Sequence, residues 1–162
     1  RELAASLPFN NTALTYHGYS AFYLAVAQID TALSQSYLGE AINNMRNALL
    51  NAKHSLIPQL EYMLGKAYFY KNTITSYYYA DLAVKYLVSA RKHGYKADDI
   101  PEYLGLSYAA LGQTMESISA FTEALRVIIN AKIIGNIFFI TLSRMIALEL
   151  FFSSRFKKIT ML

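Results

Sequence analysis

Apolar residues recur along most of the chain at intervals of three and four, the spacing that gathers them on one face of an α-helix. Phe22, Ala25, Val26, Ile29 and Leu33 make a single stripe that predicts one helix, and Tyr37, Leu38, Ala41, Met45 and Ala48 predict the next. Further helices are expected around Leu64, Ala67 and Tyr68, around Ala83, Leu87 and Ala90, around Leu104 and Tyr108, and around Phe121 and Ala124. Ile146-Ala147-x-x-Leu150 and Phe156-x-x-Ile159 carry the same spacing to the end of the chain. Glycine and proline fall mostly at junctions such as Ile57-Pro58, His93-Gly94 and Ile100-Pro101, where helices start or stop. No alternating run is long enough for a sheet, so the pattern predicts an all-α chain.

Part of this pattern repeats. Leu64-Gly65-x-x-Tyr68 returns as Leu104-Gly105-x-x-Tyr108, and the later copy is followed by Gly112, Ser117, Phe121 and Ala124. The order and spacing resemble the tetratricopeptide repeat, a helix–turn–helix unit with Leu-Gly-x-x-Tyr on its first helix and Ala-x-x-x-Phe-x-x-Ala on its second. Ser117 stands where that family most often has Ala, and Pro101 falls on its bulky aromatic position, tolerated in a first helical turn. The resemblance implies a right-handed superhelical solenoid of antiparallel helix pairs, with Gly105 and Ala124 small where two helices cross. It divides the chain into an N-terminal helical segment (1–21), a degenerate first repeat (22–57), a second repeat with an insertion around Lys71 to Ala80 (58–97), a third with an extended second helix (98–139) and a partial fourth (140–162).

Composition narrows the picture. Hydrophobic residues make up 54% of 162 and charged residues only 16%, which favours a folded chain of one domain over a disordered one. With no cysteine there are no disulfides and no thiolate metal sites, and the compartment, periplasmic or cytoplasmic, stays open. The net charge of +4 is spread along the chain; its densest group, Arg155-Phe156-Lys157-Lys158, reads as a solvated helix face. A start at Arg1 is expected of a processed product or an excised segment, and the first thirty residues carry no signal-peptide pattern. The apolar run from Ile133 to Phe152 contains Arg144 and Glu149, costly in a bilayer interior, so no transmembrane segment is expected.

Candidate chemistry is sparse. His17, His54 and His93 lack motif company, and the last two sit near expected helix C-termini, where an imidazolium is favoured. Asp98-Asp99 precedes Ile100-Pro101 and reads as helix capping. Gly105 and Gly112 belong to the repeat, with no phosphate loop around them. No catalytic residue, cofactor or metal site is expected.

Binding is the better-supported expectation. The resemblance implies that first helices line a groove, whose positions fall on Gln59, Tyr62, Lys66, Phe69 and Tyr70 in the second repeat. In the third they fall on Asp99, Glu102, Leu106, Ala109 and Ala110. The three consecutive tyrosines Tyr77, Tyr78 and Tyr79 form a second candidate contact, since one helix face cannot bury all three. Co-chaperones of the family clamp a peptide carboxylate with basic groove residues. The matching positions here include Val26, Asp30, Met63, Asp99 and Glu102, which would repel it.

The expected function is a non-catalytic scaffold or adaptor that holds a protein partner, or copies of itself, within a larger assembly. In style the chain is similar to bacterial tetratricopeptide proteins, including those that build the periplasmic flagellar motor collar of spirochaetes. A transporter-associated subunit that docks a solute-binding protein is the alternative. A helical-repeat RNA binder is a further one, disfavoured because Leu106, Ala109 and Ala110 offer no polar pairs for bases. An apolar C-terminal surface of Phe138, Phe139, Ile146, Phe151 and Phe152 is expected to be covered by another chain.

Overall fold

A computed structural model of the protein describes residues 11–75 and 78–159, with side chains described as far as residue 137. Among the described residues there are six helices and no strand: α1 (Asn11–Ala27), α2 (Thr31–Leu50), α3 (Ile57–Ile74), α4 (Ala80–Lys92), α5 (Ile100–Ala110) and α6 (Thr114–Ile159). The chain divides into two units, residues 1–122 and 123–162.

Local chemistry sets the helix boundaries. The Asp30 carboxylate accepts from the backbone N–H groups of Ala32 and Leu33, capping α2. Pro58 and Pro101 occupy the first turns of α3 and α5, where a missing N–H costs nothing. Asn72 Oδ1 accepts from the Tyr79 N–H at 2.8 Å, just ahead of α4. Helices α4 and α5 end alike. Gly94 (φ 89°) and Gly112 (φ 72°) take the left-handed conformation. Their N–H groups bond to Arg91 and Ala109, while Tyr95 and Gln113 reach back to Ala90 and Tyr108. These are paired bonds of the Schellman kind, which satisfy the last carbonyls of each helix.

In the first unit, each helix from α1 to α5 packs on the next, and α1 also touches α3 while α3 touches α5. Helix pairs approach closely at glycines. A Cβ on Gly65 would lie 2.6 Å from Leu87 Cγ, and one on Gly105 would lie 2.8 Å from the Phe121 ring. One on Gly18 would lie 2.5 Å from Met45 Cγ. Leu38, Met45, Leu60, Leu64, Leu87 and Leu104 fill the core around these crossings. Two serines tie the second helix of a pair back to the first: Ser34 Oγ donates to the Ala25 carbonyl and Ser117 Oγ to that of Gly105, both at 2.9 Å.

Two expectations are corrected. The stripe from Phe22 to Leu33 is not one helix: α1 ends at Ala27, Ile29 is fully exposed and Asp30 starts α2. Phe22 and Ala25 are buried, whereas Val26 and Leu33 stand in water on different helices. At the other end, α6 runs unbroken through the position where a fourth helix pair was expected to begin. Its sequence there has no proline and no turn cluster to stop it. The side chains of Phe138, Phe139, Ile146, Phe151 and Phe152 lie outside the described residues. Among the described residues, no helix is long and apolar enough to cross a membrane.

Candidate functional site

Helices α1, α3 and α5 share a tyrosine-rich face. On α3, Tyr62, Lys66 and Tyr70 follow one another at intervals of four, so they stand on one side of the helix. Tyr62 is buried, and its hydroxyl donates to Asp99 on α5's N-terminal side, 2.8 Å to Oδ1 and 2.7 Å to Oδ2. Lys66 Nζ donates to Tyr62 Oη and to Asp99 Oδ2, each at 3.1 Å. The same ammonium lies over two rings, 5.1 Å from the Tyr62 centroid and 5.0 Å from that of Tyr103. One turn along α3, the hydroxyls of Tyr70 and Tyr103 are 3.5 Å apart, and Phe69 meets both rings edge-on. Phe22 of α1 packs edge-on against Tyr70 from the other side.

The electrostatics follow from this crowding. Burial pushes the Tyr62 phenol well above its ordinary value, and its bond to the Asp99 carboxylate adds to the shift. Burial raises Tyr103 too, helped by Tyr70 and by the charges of Asp99 and Glu102. For Lys66, burial opposes the charge, but bonds to Tyr62 and Asp99 outweigh it and hold the ammonium above the usual lysine range. Asp99 was expected to cap α5. It stands at that N-cap but makes no side-chain cap bond, because its carboxylate is engaged across the helices instead.

Of the positions singled out in the sequence, Tyr62, Lys66, Phe69 and Tyr70 come together here. Glu102 and Leu106 stand one turn apart on the neighbouring α5, both exposed. Gln59 lies a turn earlier on α3 and is exposed. With Thr12, Thr15, Tyr16, Tyr19 and Leu56 it lines a cleft of about 100 Å³. The tyrosine run lies elsewhere, between α3 and α4. Tyr78 is 84% exposed, Tyr79 is half-buried against Tyr68 with Lys71 over its ring, and Tyr77 lies outside the described residues.

Five tyrosines escaped the sequence reading. Tyr16, Tyr19 and Tyr23 occupy one face of α1 at intervals of three and four, with Tyr16 and Tyr23 about two-thirds exposed. Tyr95 stacks on Tyr62 with centroids 4.6 Å apart, and Tyr103 completes the cradle around Lys66. The α1 spacing was a usable signal; the other two meet their partners only through the fold. Tyr19 Oη is buried with no hydrogen-bond partner among the described residues, and burial raises its pKa.

Two polar clusters lie outside this face. Glu61 is buried, accepting from Ser89 Oγ at 2.7 Å and pairing with His93 Nδ1 at 2.7 Å. The carboxylate stands between hydroxyl and imidazole, so the imidazole is not placed to take the serine proton as nucleophilic activation requires. In the second cluster, Asn44 donates to His17 Nδ1, leaving Nε2 to carry the proton towards Glu40 at 3.1 Å. His17 and Glu40 border a largely apolar cleft of about 220 Å³ with Ser20, Ala21, Leu24 and Tyr37. Among the described residues no group of three or more His, Asp or Glu side chains is placed to hold a metal.

Comparison with protein-family models, with curated proteins and with solved structures found no match for this chain.

Proposed function

We propose that the protein is a non-catalytic interaction scaffold of tetratricopeptide type, which holds a segment of another protein on the face formed by α1, α3 and α5. The supporting observation is the set of tyrosines on that face: Tyr16 and Tyr23 exposed on α1, and Tyr70 of α3 meeting Tyr103 of α5, with Phe22 in contact with both Tyr23 and Tyr70. Tyrosine offers a large, fairly rigid contact area with a polar tip, at little entropic cost on binding. The Lys66–Asp99–Tyr62 node braces α3 against α5, so the rings above it are held in place before a partner arrives. The glycine crossings at Gly65 and Gly105 fit the same repeat type.

Self-association belongs to this reading as well. Leu125, Ile128, Ile129, Ile133, Ile134 and Ile137 of α6 are all at least half exposed, more apolar surface than a helix usually leaves in water.

Selection of displayed peptides against the full chain tests the reading. Binders should be enriched, and most should lose affinity for Tyr70→Ala while the variant keeps its helicity. Binders indifferent to Tyr70, Tyr16 and Tyr23 alike would overturn it.

A further inference from the structure

The α3–α5 part of the face carries a charge that neither the composition nor the net charge foretells. The protein is basic overall, at +4. On this part of the face, however, Lys66 is already paired with Asp99 and held over two tyrosine rings. Glu102 is exposed and makes no ion pair among the described residues. Its charge and that of Asp99 both bear on the Tyr103 phenol, which meets the Tyr70 hydroxyl at 3.5 Å. The spot therefore sets two carboxylates, Asp99 and Glu102, against one ammonium that lies over the Tyr62 and Tyr103 rings. Lys66, 5.0 Å from the Tyr103 centroid, shows that this ring accepts a cation. Beside the carboxylate, one turn further along α5, Leu106 is 41% exposed and offers an apolar shelf, continued by the exposed Ala109 and Ala110.

Resting on the reading given under Proposed function, we infer that this face takes a basic polypeptide segment, with an arginine or lysine head beside Glu102 against Tyr70 and Tyr103 and its methylene stem along Leu106. The chemistry matches group by group. A guanidinium or ammonium is attracted by both the carboxylate and the ring faces, and its aliphatic stem is most at home on an apolar surface. An acidic segment meets Glu102 and Asp99 as like charges, and it shares Lys66 with the Asp99 carboxylate already bonded to it.

The test measures fluorescence anisotropy of the full chain with three short labelled peptides of one alanine–leucine–serine background, bearing arginines, glutamines or glutamates at the same places. The arginine peptide should bind about tenfold tighter than the glutamate peptide, as expected for a few exposed cation contacts. Glu102→Gln should cut that preference roughly threefold, and Glu102→Lys should reverse it. Both changes are at an exposed position, so folding is not at issue; Leu106→Ala should weaken the arginine peptide in parallel. If the glutamine or glutamate peptide binds as tightly as the arginine peptide and still loses affinity in Tyr70→Ala, the basic partner is wrong and the groove stands. If no peptide distinguishes the parent from Tyr70→Ala and Leu106→Ala, both readings fall.

Discussion

The Tyr62 hydroxyl donates to both carboxylate oxygens of Asp99, 2.8 and 2.7 Å away, across 37 residues of chain. Lys66 completes the node. Asp99→Ala removes the acceptor and leaves a half-buried ammonium and a buried phenol to find water. The expected loss is about 1–2 kcal/mol, at the lower end of bonds to charged groups because Asp99 is partly exposed. Chemical denaturation measures it. A double-mutant cycle with Lys66→Met should show a coupling of at least about 0.5 kcal/mol, and strict additivity would show that the node braces nothing.

Alkaline pH should loosen the same region. Tyr19, Tyr62 and Tyr103 have folded values raised above the ordinary 10.0, and Lys66 is raised above 10.5. Above pH 10.0 the unfolded chain releases these protons while the folded chain keeps them, so stability falls as pH rises. Their contribution is complete below that point and is lost progressively above it. Thermal melts between neutral pH and pH 11 should show the decline, and Tyr103→Phe should make it shallower. A flat profile would contradict the burial of these phenols.

Gly65 and Gly105 are both tight, but unequally. A methyl group at Gly65 meets Leu87 at its side chain and, at 3.1 Å, at its backbone nitrogen, which cannot swing aside. At Gly105 the obstacle is only the Phe121 ring. Gly65→Ala should therefore destabilise by about 1–3 kcal/mol, and Gly105→Ala by less, with helix propensity offsetting part of it. Gly105→Leu should again cost about 1–3 kcal/mol. Equal melting of the two alanine variants would count against this packing.

His93 is expected to matter through Glu61. Replacing it with Ala leaves a buried carboxylate with Ser89 as its donor, at a cost of about 1 kcal/mol. Ser89→Ala together with His93→Ala should cost more than the sum, a result that denaturant titration of the three variants can decide.

The α6 surface makes a prediction of its own. Sedimentation of the full chain should show association that grows with concentration, and Ile129→Lys with Ile133→Lys should reduce it without loss of helicity. A monomer across the micromolar range would remove self-association from the reading.

The helical class was legible because burial of one helix face imposes its period on the residues, and Leu38, Leu64, Leu87 and Leu104 carry that period plainly. Gly65 and Gly105 were legible for a similar reason: close crossing demands glycine, with Leu before it and Tyr three residues after. Gly18 does the same work in the first helix pair, but His17 precedes it and Ala21 follows it, so the pattern around it is lost. The end of α1 was hidden by coincidence. Ile29 and Leu33 extend the apolar stripe of Phe22 and Ala25 although neither is buried, and between them the Asp30 carboxylate caps the new helix α2. Asp99 misled in the opposite way, since the local rule for a helix start yields to partners on another helix.

Among the described residues α1 to α5 pack chiefly on their neighbours in sequence, and α1–α3 and α3–α5 reach one helix further, so most of the loops that folding must close there are short. Such a topology lowers the entropic barrier and favours rapid folding. It also ties each helix's survival to the ones beside it. Exchange of backbone amides with deuterium should then be slowest in α3, which has partners on both sides, and faster in α1.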